Sequence, residues 1–437
     1  MSDDHSSQLE GVFNFPWGEF AGRLSVKQGD LARLTITTTT IIPATVNKRD
    51  ERYLVHGVAR NEKQLVTLYN CLSSGSFFNS FGLYQYSFVS NLVIFGAHEL
   101  QLEELDFDNV TFGVSGLDLW LNKSVVEPRH DFQKKTTDLK IGPDISLRYK
   151  PISGITPRLR TYAVRSLGFE PGTQYIVTQK SDLSFEFAKK VQYNEIMTLC
   201  KRIENLFCLI FQDKCIVDET SYSKLRKIEK HEVPEVRVIH HVKTDYSFSK
   251  FNDRKVLIRF PDIESSFGDL LFKWFDLSEA IPYLDTFFVI YYSTKYIDSR
   301  ALALINLVEA IHRFECGSEA VPIEEHREWV KKIVDQIDDE DDQERVHTIL
   351  QDKNGYGLKA KLNYFREFVD GDILDGRSRD IAKFRARYSH GERLDSYSYD
   401  NLKKIHDLLQ RMVNGYFRKA FLGQVEKSSP SENTLTS

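Results

Sequence analysis

The strongest constraint on the fold of this 437-residue chain is a change of hydrophobic pattern near Pro261. Before it, short runs of β-branched and aromatic residues alternate with turn residues, as in segments 31–37 and 83–89. After it, apolar residues recur at steps of three and four. The first pattern is typical of strands and the second of helices. We therefore predict an α+β protein in which a β-rich domain precedes an all-helical domain.

The β-rich domain is predicted over residues 1–265. Its regularly spaced strand-like runs, separated by Gly, Asn and Pro, favour an antiparallel sandwich or a barrel-like module. A helical segment interrupts it near residues 193–212, where apolar residues recur at helical spacing. The domain carries no catalytic constellation and precedes the helical half, so we assign it a sensing or regulatory role.

The helical domain is predicted over residues 266–425 and is expected to form a bundle. Its last long helix has one apolar stripe at steps of three and four, formed by Leu402, Ile405, Leu409, Met412 and Tyr416. The tail, residues 426–437, is rich in serine and is predicted to be disordered.

The composition of the chain indicates its cellular compartment and argues against a zinc site. The polar, acidic first residues predict no secretory signal, and apolar runs such as 287–292 are too short to span a bilayer. Five scattered cysteines suit a reducing cytosol, so we expect a cytoplasmic protein without a membrane segment. The spacing of Cys200, Cys208 and Cys215 matches no standard zinc pattern, and buried thiols are the favoured interpretation. We predict neither a metal nor a cofactor.

One motif near the C-terminus contains side chains that can catalyse a reaction. Arg385 precedes His390 by five residues, and Gly391 follows at what reads as a helix end. A histidine can move a proton near neutral pH, and an arginine can stabilise the extra charge on a phosphate under attack. In RNA, deprotonation of the 2′-hydroxyl lets it attack the adjacent phosphate, which leaves a 2′,3′-cyclic phosphate and a 5′-hydroxyl. We therefore predict that Arg385 and His390 are catalytic residues for metal-independent RNA cleavage.

The distribution of charge along the chain indicates that any RNA contact is made by a local basic patch. The net charge of −5 argues against nonspecific coating of nucleic acid. The segment 377–393 is strongly basic, and we predict RNA contacts from Lys383, Arg387 and Arg393; the alternative is a solvated helix face. Glu309 lies on an apolar helix, where it either faces the surface or orients the catalytic arginine.

The motif predicts a composite site. On an ideal helix, five positions place Arg385 and His390 about 140° apart. Either the helix ends early and lets His390 turn, or the pair acts across a dimer seam. Cleavage needs a base, an acid and a cation, and two protomers on a twofold axis would supply two histidines and two arginines. We therefore expect a homodimer through the helical domain.

These residues also carry a family resemblance. The segment 384–391, with its Arg-x4-His-Gly pattern at the end of a long helix, resembles HEPN ribonuclease domains. Together with segments 11–17 and 22–24, it makes almost the whole chain similar to the ApeA family of bacterial anti-phage proteins. The resemblance implies a dimeric nuclease that cuts RNA, with tRNA as a target, in abortive infection. It also implies a phage-derived trigger at the N-terminal domain. Ala386 stands where the motif commonly has a polar residue.

Two other classes of function stay open. The chain could be a catalytically idle sensor or scaffold, in which the helical domain dimerises and the β-rich domain binds a phage product. It could also be a toxin-like binder of nucleotide or RNA under the control of another subunit.

Overall fold

The computed structural model divides after Asp269 into two compact units, residues 1–269 and 270–437. The sequence-based boundary, between residues 265 and 266, lies a few positions earlier. The structure describes residues 6–27, 31–39, 52–59, 64–78, 83–96, 106–131, 136–167, 175–228, 231–241, 252–351, 353–390 and 397–423. The predicted disordered tail lies outside these ranges.

The first unit is built mainly from strands. They are β1 (Ser6–Phe15), β2 (Gly18–Lys27), β3 (Ala32–Thr38), β4 (Tyr53–Ala59), β5 (Gln64–Phe78), β6 (Tyr84–Ser90), β7 (Leu92–Phe95), β8 (Asp106–Val114), β9 (Val126–Asp131), β10 (Thr136–Ile141), β11 (Ile145–Arg148), β12 (Ile155–Leu167), β13 (Tyr175–Gln192), β14 (Val217–Ile228) and β15 (His231–His241). Its helices are α1 (Leu117–Leu121), α2 (Tyr193–Phe211) and α3 (Phe260–Ile263).

Six of these strands close into an antiparallel barrel. The order is β5, β4, β1, β2, β3, β6, and the pairing of β6 with β5 completes the ring. Alternate residues of β3 and β4 point into an apolar core, which gives the period-two pattern seen in the sequence. The predicted α+β class, with a barrel-like β-rich half, is confirmed.

The barrel wall depends on a close approach at Gly57. This residue pairs with Phe13 of β1. A Cβ atom at Gly57 would lie 2.4 Å from Cδ1 of the Phe13 ring, which is fully buried. Only glycine leaves room for the ring at that position.

The sheet continues beyond the barrel. From β5 it extends through β7, β15, β14, β8, β13 and β12 to β11, while β9 and β10 form a separate ribbon. Helix α2 packs on β8, β13 and β14 of this extension. Its buried face includes Ile196, Ile203 and Leu206, and it occupies the segment for which the sequence predicts a helix.

The second unit is helical over its described residues. Its helices are α4 (Phe267–Ala280, which spans the boundary), α5 (Tyr283–Ser293), α6 (Ile297–Cys316), α7 (Ile323–Val334), α8 (Glu340–Leu350), α9 (Leu358–Tyr364), a 3-10 turn (Arg366–Phe368), α10 (Gly371–Ser389) and α11 (Tyr399–Leu422). Helices α6 and α11 form the most extensive helix–helix contact. The predicted stripe of α11 is confirmed, since all five of its residues are buried.

No helix within the described residues combines the length and the apolar character that a bilayer crossing requires.

Candidate active site

Helix α10 contains Arg385, and His390 is the residue that follows its last turn. The Asp370 side chain caps its N-terminus by accepting a hydrogen bond from the Asp372 amide, 2.9 Å away. Leu374, Ile381 and Phe384 face the core. The helix therefore has a fixed rotation about its axis, and that rotation decides where its polar residues lie.

The Arg385 guanidinium is held by a carboxylate from another helix. Its Nε and Nη2 atoms donate to Oε2 of Glu309, on α6, at 3.1 and 3.0 Å. The Arg385 side chain remains 42% exposed, whereas that of Glu309 is 13% exposed. A guanidinium has five N–H donors, so three are not used by Glu309. The arginine is thus oriented from its buried side and keeps donors for an incoming anion.

Glu309 also holds a second cation. Nζ of Lys361, on α9, donates to Oε1 of Glu309 at 2.8 Å. Burial by itself would raise the pKa of the Glu309 carboxyl, but the hydrogen bonds and charges of Lys361 and Arg385 outweigh burial and lower it. The carboxylate is therefore ionised near neutral pH, and the three groups together carry a net charge of about +1.

The end of α10 places His390 at the surface. His390 is the C-cap of the helix, its amide donates to the Ala386 carbonyl at 3.1 Å, and its side chain is exposed. Tyr388 fixes this last turn, because its hydroxyl lies 3.1 Å from the Ser299 hydroxyl of α6. The imidazole thus lies just past an anchored helix end and is exposed to solvent.

The structure describes two of the three predicted RNA-contacting residues. Lys383 is exposed and Arg387 is half-buried, both on α10. Arg393 and Gly391 lie outside the described residues. Lys383 and Arg387 lie on the helix that carries Arg385 and ends next to His390.

Arg385 and His390 do not share one stripe of α10. The helix runs to Ser389, so the angular separation expected for five positions applies along nearly all of the interval. One protomer therefore offers an oriented cation on one side and an accessible proton carrier at the tip.

Sequence reasoning missed Lys361 and the Ser299–Tyr388 pair. Lys361 lies 52 residues from Glu309 in the chain, on a short helix that also carries Lys359, and no local pattern distinguishes it. Tyr388 lies inside the motif segment, but its partner is 89 residues away. Only the packing of α6 against α9 and α10 brings these groups together.

The cysteines considered as metal ligands are buried. Cys200 and Cys208 lie on α2, and Cys215 follows that helix. Burial raises the pKa of the Cys208 thiol to about 12, which disfavours the thiolate that binds zinc. Among the residues that the structure describes, none of the His, Cys, Asp and Glu side chains form a group of three placed to hold a metal ion.

Comparison with protein families gives one match. The family described as ApeA N-terminal domain 1 matches residues 9–274. The matched range ends within α4 and contains none of the candidate site residues. Comparison with curated proteins and with solved structures finds no match.

Proposed function

The chain belongs to the ApeA family, because the matched residues make up more than half of it, and from this premise we propose that it is a metal-independent endoribonuclease of anti-phage defence. Family membership supports the antiviral role. The cleavage chemistry is inferred from Arg385 and His390, and we assign residues 266–425 to a HEPN-type nuclease domain on the strength of their motif.

The observation that carries the proposal is the Arg385–Glu309 pair. An arginine that stabilises a transition state must be oriented before the reaction begins, so that no reorganisation is needed when charge develops. Two hydrogen bonds to Glu309 provide this orientation, and the partial exposure of Arg385 leaves it open to a phosphate. Glu309 acts here as a positioning residue.

His390 supplies the proton transfer. In the proposed reaction its imidazole removes the proton from the 2′-hydroxyl, and the oxygen then attacks the adjacent phosphorus. The bond from phosphorus to the 5′-oxygen breaks, and a second imidazole protonates the leaving oxygen. The products are a 2′,3′-cyclic phosphate and a 5′-hydroxyl.

The second imidazole is proposed to come from a second copy of the chain. A twofold axis would bring two Arg385 and two His390 into one cleft, so that one histidine acts as base and the other as acid. Lys383 and Arg387 are proposed to hold the RNA backbone. We propose tRNA as the target of abortive infection, and the β-rich unit as the part that responds to a phage-derived trigger.

A second candidate is a non-catalytic sensor or scaffold. Ala386 favours it, because this exposed position directly after the arginine has no polar side chain. In that case the helical unit would bind RNA or a phage product without cutting it.

The deciding experiment is RNA cleavage by the full chain in the presence of EDTA. We expect wild type to cut and the Arg385→Ala and His390→Ala variants to lose activity. Arg379→Ala, which removes another exposed arginine of α10, is the matched control and should cut like wild type. The new 5′ ends should accept phosphate from a polynucleotide kinase without prior dephosphorylation. RNA binding without cutting by wild type would favour the second candidate.

A further inference from the structure

A cavity in the helical unit is lined in part by Lys361, the residue that pairs with Glu309. It has a volume of about 260 Å³ and is lined by the end of α6, the loop that follows it, the segment before α9, and α9 itself. The lining residues are His312, Arg313, Gly317, Ser318, Gly355, Tyr356 and Lys361.

We propose that this cavity binds a phosphate group, supplied either by a nucleic-acid strand or by a free nucleotide. The inference concerns binding alone and does not depend on the proposed cleavage activity. It stands on the donors that converge on the cavity, on its size and on how its walls are built.

Three residues that line the cavity carry donor groups with unused capacity. Among the described residues, the Arg313 guanidinium makes no side-chain hydrogen bond, so all five of its N–H donors are available. Lys361 uses one donor on Glu309 and keeps two. Arginine and lysine with free donors are the side chains that bind phosphate in proteins.

His312 is the third donor group and the most unusual one. Its side chain is only 3% exposed, and Nδ1 is buried with no hydrogen-bond partner among the described residues. The Tyr356 and Tyr364 rings pack edge-on against the imidazole at 4.8 and 5.8 Å. A buried polar group without a partner is unfavourable, so its presence in the wall of a cavity points to a ligand that satisfies the ring.

The charge state of His312 is compatible with this role. Burial lowers the pKa of the imidazole, and the nearby charge of Lys361 lowers it further. The ring is therefore neutral at physiological pH and keeps one N–H donor. A bound anion would favour the charged form and so strengthen the contact.

Local electrostatics favour an anion. The C-terminal end of α6 contributes roughly half a negative charge, which opposes one. Arg313 and Lys361 contribute two full positive charges, and the Glu309 carboxylate that pairs with Lys361 is shared with Arg385. The cavity lining thus contains two cations and, among the described residues, no carboxylate.

The volume of the cavity limits the size of the ligand that it can hold. Pockets for drug-sized molecules measure about 300–1,000 Å³, so a cavity of about 260 Å³ suits a phosphate group with part of its sugar rather than a whole nucleotide. The rest of the molecule would extend out of the mouth.

The walls are held in place by backbone pairing. Residues Glu319 and Gly355 form an antiparallel bridge, and the buried Asn354 side chain donates to the Val321 carbonyl at 2.8 Å. The Ala320 amide donates to the Asn354 carbonyl at 2.7 Å. The two segments that carry Ser318 and Tyr356 are therefore tied together before any ligand arrives.

The test measures equilibrium binding to the full chain with three probes. They are inorganic phosphate, adenosine 5′-monophosphate and a 2′-O-methyl oligonucleotide, which lacks the hydroxyl needed for cleavage. We expect saturable binding that Arg313→Gln weakens about tenfold or more, because the contacts of a charged donor are lost. Lys359→Gln, which removes an exposed charge of α9 that does not line the cavity, should bind within about twofold of wild type.

A second readout keeps the test independent of folding defects. In protein with isotope-labelled histidine, the His312 imidazole resonances, assigned by their loss in His312→Asn, should shift on binding. If only phosphate and the mononucleotide bind, the source is a free nucleotide; if the oligonucleotide binds, the source is a strand. Equal affinity of wild type and Arg313→Gln, equal weakening by Lys359→Gln, an unshifted His312 signal, or no binding of any probe would overturn the proposal.

Discussion

At the scale of single residues, Glu309 links two cations of the helical unit, Lys361 and Arg385. One carboxylate oxygen accepts from Lys361 and the other from Arg385. Both cations are thereby held by one half-buried carboxylate, and their hydrogen bonds and charges lower its pKa. Removal of this one charge would leave two partly buried cations facing each other.

We predict that Glu309→Gln lowers the rate of RNA cleavage by about tenfold or more, because charge-assisted hydrogen bonds worth about 1.5–3 kcal/mol no longer orient Arg385. The loss should appear mainly in kcat. Steady-state kinetics on a short RNA would measure it.

The matched control is Glu315→Gln on the same helix. Glu315 accepts a hydrogen bond from the Tyr416 hydroxyl at 2.6 Å and does not contact Arg385. Its substitution can reduce stability but should leave kcat near wild type. Equal rate losses in the two variants would show that Glu309 has only a structural role.

The lowered pKa of Glu309 also predicts how the stability of the protein depends on pH. The folded-state pKa lies below the ordinary value of 4.5, so the stabilisation is complete above pH 4.5 and is lost as pH falls through the lowered pKa. The difference in Tm between wild type and Glu309→Gln should therefore be largest near neutral pH and shrink in acid. Thermal unfolding at several pH values would measure it, and a constant difference would contradict the assignment.

At the scale of elements, α10 and α11 differ in what surrounds their glycines. Gly376 of α10 has open space around its missing Cβ. Gly415 of α11 lies against Phe368, and a Cβ there would come within 2.5 Å of the Phe368 Cβ. The same residue type is thus a local weakness in one helix and a packing requirement in the other.

We predict opposite signs for the same substitution in these two helices. Gly376→Ala should raise the free energy of unfolding of the helical unit by about 0.5–1 kcal/mol, because alanine has the higher helix propensity. Gly415→Ala should lower it by about 1–3 kcal/mol through overpacking. Urea unfolding followed by far-ultraviolet circular dichroism would compare them; stabilisation by both would mean that α11 shifts away from Phe368 at little cost.

At the scale of the whole molecule, the proposed reaction needs two histidines, and one chain supplies one in the motif. The Arg385–Glu309 pair is complete within a protomer. His390 lies exposed at a helix tip, where a symmetry-related copy could meet it. Folding of one chain would thus orient Arg385, and dimerisation would bring the two His390 side chains together.

We predict that a mixed dimer with one His390→Ala protomer is nearly inactive. Co-expression with two different tags and purification through both would isolate it, and the mixed wild-type dimer with the same tags is the control. A single-protomer site would retain about half of the control activity. That result, or failure to capture any mixed dimer, would contradict the shared site.

The sequence by itself determined the two-part architecture, the α2 segment and the buried face of α11, because periods of 2 and 3.6 residues report directly on local backbone geometry. It also singled out Arg385 and His390, since they lie close together in one motif. The sequence left open whether Glu309 faces the surface or orients Arg385, and the tertiary structure decided this, as it decided the closure of the barrel and the positions of Lys361 and His312. These features depend on contacts between residues far apart in the chain, such as β5 with β6 or Lys361 with Glu309. The residue pattern of one segment does not indicate which distant segment it will pack against.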